Sequence, residues 1–347
     1  MERRDAARVR ARLQAAVRSF LASRGFEEVE TPCLVAAPGM EPHIDAFQAR
    51  FLPEGGGKGR TLFLHTSPEY AMKRLLAEGL PRIFQIARVF RNGEVSQCHN
   101  PEFTMLEFYR AETDYHGIMA DLEDLIEHCA REVVGTSQLH RGRGALDLAA
   151  PFERCTVSEA FRSSVGIDIG ACEGDAARLR AELAAQGLAG SGSDTFDDLF
   201  FRAFLERIEP NIGKARPVFL TDWPAPLAAL SKVKTSDARF AERFELYAGG
   251  LELANGFSEL TDAVEQRRRL EEERMLRARL GRNVYPIDER FLAALAHMPD
   301  AGGVAVGLDR LLMLLVDAQT IDEVLLFPAK DFLCANPDVN TRSHSPR

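Results

Sequence analysis

Arg91-Asn92-Gly93-Glu94 and His99-Asn100-Pro101-Glu102-Phe103-Thr104-Met105-Leu106-Glu107-Phe108-Tyr109 decide how this chain is read, together with the distant string Gly303-Val304-Ala305-Val306-Gly307-Leu308-Asp309-Arg310. The spacing predicts two strands within residues 81–110, joined by a loop over 92–100. Arg91 then stands at the end of the first strand, Phe84-Gln85-Ile86-Ala87-Arg88-Val89-Phe90, and Phe103 on the returning one. A guanidinium stays charged and can grip phosphate oxygens through two parallel hydrogen bonds. Gly307, ahead of Arg310, leaves room for backbone to approach a ligand.

Working outward, the first 24 residues read as one helix with Val9, Leu13, Val17, Phe20 and Leu21 in a stripe, ended at Gly25. Because that stripe runs straight into Gly25-Phe26-Glu27-Glu28-Val29, the Arg-rich start reads as part of the fold and not as a leader. Strands are expected around the glycine-rich loop 53–59, which lacks the spacing of a phosphate loop. A helix with Ile118, Met119, Leu122, Leu125, Ile126 and Cys129 on one face follows, then a polar connector over 136–150. Helices are expected over 156–187 and 194–208, the second capped by Ser193 or Asp194, with Phe196, Leu199, Phe200 and Phe204 inward. Residues 217–223 and 244–259 are strand-like. A helix over 262–280 carries Arg267-Arg268-Arg269 ahead of Glu271-Glu272-Glu273, a pattern of a solvated face. The reading is one domain over 1–330 with a helical insertion near 150–210, and a C-terminal extension over 331–347.

The bulk numbers exclude several classes. At 347 residues the chain can bury a full core, and a net charge of −9 does not suit a protein that coats nucleic acid. No run approaches the roughly 18 apolar residues of a membrane span. The six cysteines are scattered, with no Cys-x-x-Cys pair, which fits a reducing cytoplasm and supports no zinc knuckle.

The quoted strings resemble motifs 2 and 3 of the class II aminoacyl-tRNA synthetases, in their lysine branch. The resemblance covers residues 8 to about 328. It implies an α+β fold, an antiparallel sheet flanked by helices, and activation of an amino acid as an acyl-adenylate with ATP and Mg²⁺. Arg91 would hold the α-phosphate. Phe103 would stack on adenine, and Arg310 would cover its other face and reach the γ-phosphate. Asn92, Gly93, Asn100, Leu253 and Gly307 complete the expected ATP contacts. In Gly250-Leu251-Glu252-Leu253-Ala254-Asn255-Gly256-Phe257-Ser258-Glu259, the counterpart of Glu252 serves ATP and Mg²⁺, while that of Glu259 faces a side-chain amine and can share the metal. Thr66-Ser67-Pro68-Glu69-Tyr70 matches the loop that receives the substrate's backbone amine, with Ser67 and Glu69 as acceptors. Tyr109 and Glu107 would lie in the same pocket. One departure stands out: the family's Arg-Asn-Glu reads here Arg91-Asn92-Gly93-Glu94. Either loop backbone replaces the displaced carboxylate at adenine, or Glu94 reaches back.

Within the family, the chain opens directly in the motif 1 helix, where lysyl-tRNA synthetases place an anticodon-binding barrel. Glu209-Pro210-Asn211-Ile212-Gly213-Lys214, together with Ala254 and Ala305 where those synthetases carry glycine, resembles a branch without that barrel. That branch activates (R)-β-lysine and transfers it to a lysine of elongation factor P. The implied partners are therefore elongation factor P, (R)-β-lysine and a second copy of the chain, with the apolar stripe of the first helix at a two-fold contact and tRNA not expected. Two other readings stay open: an enzyme charging tRNA with L-lysine, and a non-enzymatic regulatory paralogue.

Overall fold

The computed structural model describes residues 1–141, 144–228 and 230–333. Helix α1 (Arg3–Ser23) leads into β1 (Glu27–Glu28) and then a small sheet of β2 (Leu34–Val35), β3 (Gln48–Phe51) and β4 (Arg60–Leu64). After α2 (Glu69–Ala77), β5 (Arg82–Phe90) and β6 (Glu102–Ala111) form the expected hairpin, and α3 (Tyr115–Val134) follows. A ribbon of β7 (Gln138–Arg141) and β8 (Gly144–Asp147) precedes β9 (Glu153–Thr156). Next come α4 (Val157–Ser164), α5 (Ala176–Ala185), α6 (Phe196–Ala203), β10 (Val218–Pro224), β11 (Phe240–Ala248) and β12 (Leu251–Ser258). The last elements are α7 (Ala263–Arg279), α8 (Glu289–Leu295), β13 (Ala301–Gly307), α9 (Leu308–Leu315) and α10 (Lys330–Leu333).

The main sheet runs β1-β5-β6-β13-β12-β11-β10-β9. Every pairing from β5 to β10 is antiparallel, while the edge strands β1 and β9 pair in parallel. Alternation divides the sheet into two faces. Leu106, Phe108, Phe244, Leu246, Val304 and Val306 point to one side and bury against α1, α3 and α9. Residues one step along, Met105, Glu107 and Tyr109 on β6 and Asn255 and Phe257 on β12, line an open cavity on the other side. Each fully buried apolar side chain of the covered face adds about 1.5–3 kcal/mol.

One irregularity places a functional side chain. Leu246 pairs with Ala254 but Tyr247 pairs with Glu252, so β12 carries an extra residue at Leu253. Leu253 and Ala254 both enter the core, and Glu252 is returned to the cavity face with Asn255 and Phe257.

Several local expectations are corrected. The polar connector over 136–150 contains a ribbon, because Leu139 and Leu146 turn inward while their neighbours stay polar. The stretch 156–187 is two helices and a 3₁₀ turn, interrupted where Gly166 and Gly174 take positive φ. Thr195, not Ser193 or Asp194, caps α6, because it forms a reciprocal capping box with Asp198. The stretch 244–259 is two strands turning at Gly249 and Gly250, both at positive φ. Helix α7 is solvated on one side only: its Arg277 is buried and donates to Glu41 O, Ile44 O and Asp45, pinning the loop ahead of β3. The apolar stripe of α1, expected at a two-fold contact, is instead covered by α3 of the same chain. Of the expected C-terminal extension, residues 331–333 belong to α10 and the remainder, with Cys334, lies outside the described residues.

Asp309 ties three elements together behind the cavity. Its carboxylate accepts from Thr104 N of β6 at 2.7 Å and pairs with Arg10 of α1 at 2.5 Å. Removing one member of such a buried pair strands the other charge. Arg10→Met is expected to lower the unfolding free energy by about 3 kcal/mol, read from urea titration at neutral pH.

Candidate active site

The open face of the sheet, closed over by the 38–45 loop, α6 and α7, encloses a cavity of about 930 Å³. Ser67, Glu69, Arg91, Asn100, Phe103, Tyr109, Glu252, Leu253, Glu259, Ala305, Gly307 and Arg310 all border it. Asn92 and Gly93 do not. Asn92 is exposed and its backbone bridges to Asp45, while Gly93 sits at φ +87°. That glycine conformation lets the loop turn within four residues, and Glu94, one position on, faces the cavity.

One end of the cavity is built for an anion. Arg91 lies 5.3 Å over the Phe103 ring, and its Nε is buried with no hydrogen-bond partner among the described residues. Arg310 starts α9 and reaches back across the sheet. It donates to Glu252 O at 2.8 Å, to the Glu252 carboxylate at 3.3 Å and to His99 Nε2 at 2.6 Å. Arginine only donates, so His99 Nε2 accepts from it, while Nδ1 lies 2.7 Å from Ser96 Oγ. The same ring hydrogen-bonds Cys98 and draws that thiol down to about 7.

The other end is built for cations. Ser67 Oγ and Tyr109 Oη donate to the two oxygens of Glu107, at 2.6 and 2.8 Å. Both hydroxyls keep lone pairs free to accept. Burial pushes Glu107 up to about 8, and the charge of Glu69 adds to it. Lys73 of α2 is fully buried between Glu69 and Glu259, 2.5 Å from each. Burial alone would lower this ammonium, but Glu259 and Glu69 outweigh it and hold Lys73 above its usual range. For Glu259, burial pushes upward against the pull of Lys73. Gly303 makes the space: a Cβ there would stand 2.3 Å from the Tyr109 ring and 2.4 Å from a Glu259 oxygen.

This arrangement bears on three expectations. Glu259 pairs with the buried Lys73 and Glu252 with Arg310, so the two expected metal ligands border one cavity with different cationic partners. The carboxylate that faces Glu252 is Glu245 of β11, held by Arg243 and Tyr247 and pushed up to about 7, chiefly by burial and also by Glu252. Among the described residues no cluster of three or more His, Cys, Asp or Glu is arranged to hold a metal ion. Mg²⁺ does not require one, since it is bound by one or two carboxylates plus phosphates, and Glu252 beside Arg310 fits that role. Asn100, expected at ATP, has its amide spent on backbone: it donates to Glu102 O and accepts from Ala329 N. Leu253 turns its side chain into the core and can offer only backbone.

Glu245 and Lys73 were missed by sequence reading. Lys73 leaves a faint trace as the i,i+4 partner of Glu69 on a helix, though nothing in that spacing signals burial. Glu245 could be found only by pairing β11 with β12.

Comparison with known proteins agrees with this geometry. A family model of class II tRNA synthetases (D, K and N) matches residues 1–331. The elongation factor P–(R)-β-lysine ligases of Salmonella paratyphi B and Salmonella schwarzengrund are each 42% identical to this chain over 322 residues, 92% of this chain and 93% of theirs.

The raised Glu107 carboxyl sets a sign for stability. Its ordinary value is 4.5 and its folded value about 8, so the native state binds the extra proton. Its contribution is present in full below 4.5 and is lost as pH rises through 8. Glu107→Gln is therefore expected to flatten the fall in urea midpoint of the ligand-free protein between pH 5 and pH 8, measured beside the unsubstituted chain. Parallel curves for the two proteins would refute this assignment.

Proposed function

The chain belongs to the class II tRNA synthetase family, and from that premise we propose that it activates (R)-β-lysine with ATP and transfers it to a lysine side chain of elongation factor P. The observation that carries the reading is the two-ended cavity, with guanidinium groups at one end and carboxylates at the other. Three carboxylates against the single ammonium of Lys73 leave two charges unmet when all are ionised, the number of ammonium groups on a diamino acid. Glu69 and Ser67 take one of these groups, and Glu259, Glu107 and Tyr109 the other. Ala305 sets the floor on which the chain of the substrate lies, and one methyl group there discriminates by about 1–3 kcal/mol.

The substrate carboxylate is already a nucleophile, so the first step needs position and charge neutralisation more than a base. Arg91 holds the α-phosphate in line with it. Phe103 receives adenine on its face. Arg310 exchanges its contacts with His99 and Glu252 for the terminal phosphate. Glu252, with Glu245 behind it, would hold Mg²⁺, which neutralises charge on the phosphates when bound. The acyl-adenylate forms as pyrophosphate leaves, and an amine of the acceptor then displaces AMP.

The same reading places the protein in the cytoplasm; among the described residues no helix is long and apolar enough to cross a membrane. A homodimer is part of the reading, formed through surfaces other than the covered stripe of α1.

Mass spectrometry of elongation factor P after incubation with the protein, ATP, Mg²⁺ and each lysine isomer tests the proposal. The expected result is a gain of one lysyl unit, larger with (R)-β-lysine than with L-lysine. Faster charging of tRNA with L-lysine than modification of elongation factor P would overturn it. Arg310→Ala is expected to slow pyrophosphate exchange by about 10²-fold, because a charge-stabilising donor is lost.

A further inference from the structure

We propose that the wall formed by Glu41 and Glu273 beside Glu69 receives the acceptor's lysine ammonium, and that these two carboxylates take up the protons it sheds during transfer. This rests on the ligase reading and adds the part of the site that the second half-reaction requires. Glu41 lies in the loop ahead of β3 and Glu273 on α7, two elements joined by the buried Arg277. Both border the cavity and both are partly buried.

The local cations are spent elsewhere. Lys73 serves Glu69 and Glu259. Arg277 serves Asp45 and backbone carbonyls, and Arg269 serves Glu265 and Ser231 O. Glu41 takes a hydrogen bond from its own backbone amide. Among the described residues, no hydrogen-bond donor reaches the Glu273 carboxylate. Burial pushes Glu41 upward and Glu273 to about 8; the charge of Glu69 adds to both, and that of Glu41 to Glu273. A partly buried carboxylate with so little compensation is stabilised when a cation reaches it.

Position separates this wall from the amino-acid pocket. Glu41 borders the cavity together with Arg91 of the phosphate grip and Glu69, the first amine acceptor, and senses the charge of both. The amines of the activated amino acid already have Glu69, Glu107 and Glu259. Glu41 and Glu273 are left for an amine from outside.

In the step itself, the acceptor nitrogen arrives as an ammonium and gives one proton to a carboxylate. Its lone pair forms the C–N bond to the adenylate carbonyl carbon. The bond from that carbon to the phosphate oxygen breaks, and AMP leaves with the electron pair. The second proton leaves nitrogen as the amide forms and passes to the other carboxylate. Carboxylates raised above their ordinary range are stronger bases for this exchange.

Glu41→Gln, Glu273→Gln and the double variant test the proposal. Adenylate is formed from ATP, Mg²⁺ and (R)-β-lysine, quantified by quenching, and then mixed with elongation factor P for a single turnover. Transfer per adenylate is expected to slow at least about tenfold in each single variant, and further in the double. Equal transfer rates per adenylate in the double variant would overturn the inference. So would a loss of adenylate formation as large as the loss of transfer, which would assign both carboxylates to the amino-acid pocket. If the unsubstituted protein forms no adenylate with any lysine isomer, the ligase reading itself fails, and this inference with it.

Discussion

A buried ammonium governs the pocket. Lys73 has no exposed side-chain surface and stands between Glu69 and Glu259, with the Phe257 ring 5.0 Å away. Without it, Glu69, Glu107 and Glu259 would crowd an enclosed space with like charge, and burial would drive protons onto them. With it, the pocket stays short of positive charge while remaining foldable. The substrate then completes a neutralisation that the protein begins. Glu107 marks how close the balance is, since its proton is held to about 8.

The nucleotide end depends on a different anchor. Asp309 fixes β6 through Thr104 and α1 through Arg10, and the next residue is Arg310. The arginine is thus launched from a point locked to both the sheet and the covering helix. Its resting partners, His99 and Glu252, keep the guanidinium aimed into the cavity. Phe103 and Arg91 come from the hairpin on the same side of β13. Geometry at this end is set by backbone pairing, and at the amine end by charge.

Much of this was legible from residue order. The hairpin of β5 and β6, the inward aromatics of α6 and the cavity positions of Arg91, Phe103 and Arg310 follow from local patterns and a family resemblance carried by contiguous strings. What was not legible depends on distant partners. Asn100 looked like a ligand contact, yet its acceptor is taken by the backbone of Ala329, far along the chain. Glu259 read as a metal ligand, and the buried Lys73 beside it could not be seen from spacing. The stripe of α1 looked available for a second copy, because nothing in its spacing shows that α3 covers it. Glu245 passed as one more strand residue until strand register set it opposite Asn255 and near Glu252.

The extra residue at Leu253 has a consequence for how this site can change over generations. Side-chain replacements around the cavity alter one wall at a time, because the neighbouring strands keep their alignment. Glu252 and Asn255 are three residues apart, so strict alternation would set them on opposite faces and turn the acid toward the oily layer under α9. Sequence drift is therefore free to retune what this pocket accepts, while the bulge itself must persist for that carboxylate to keep facing water.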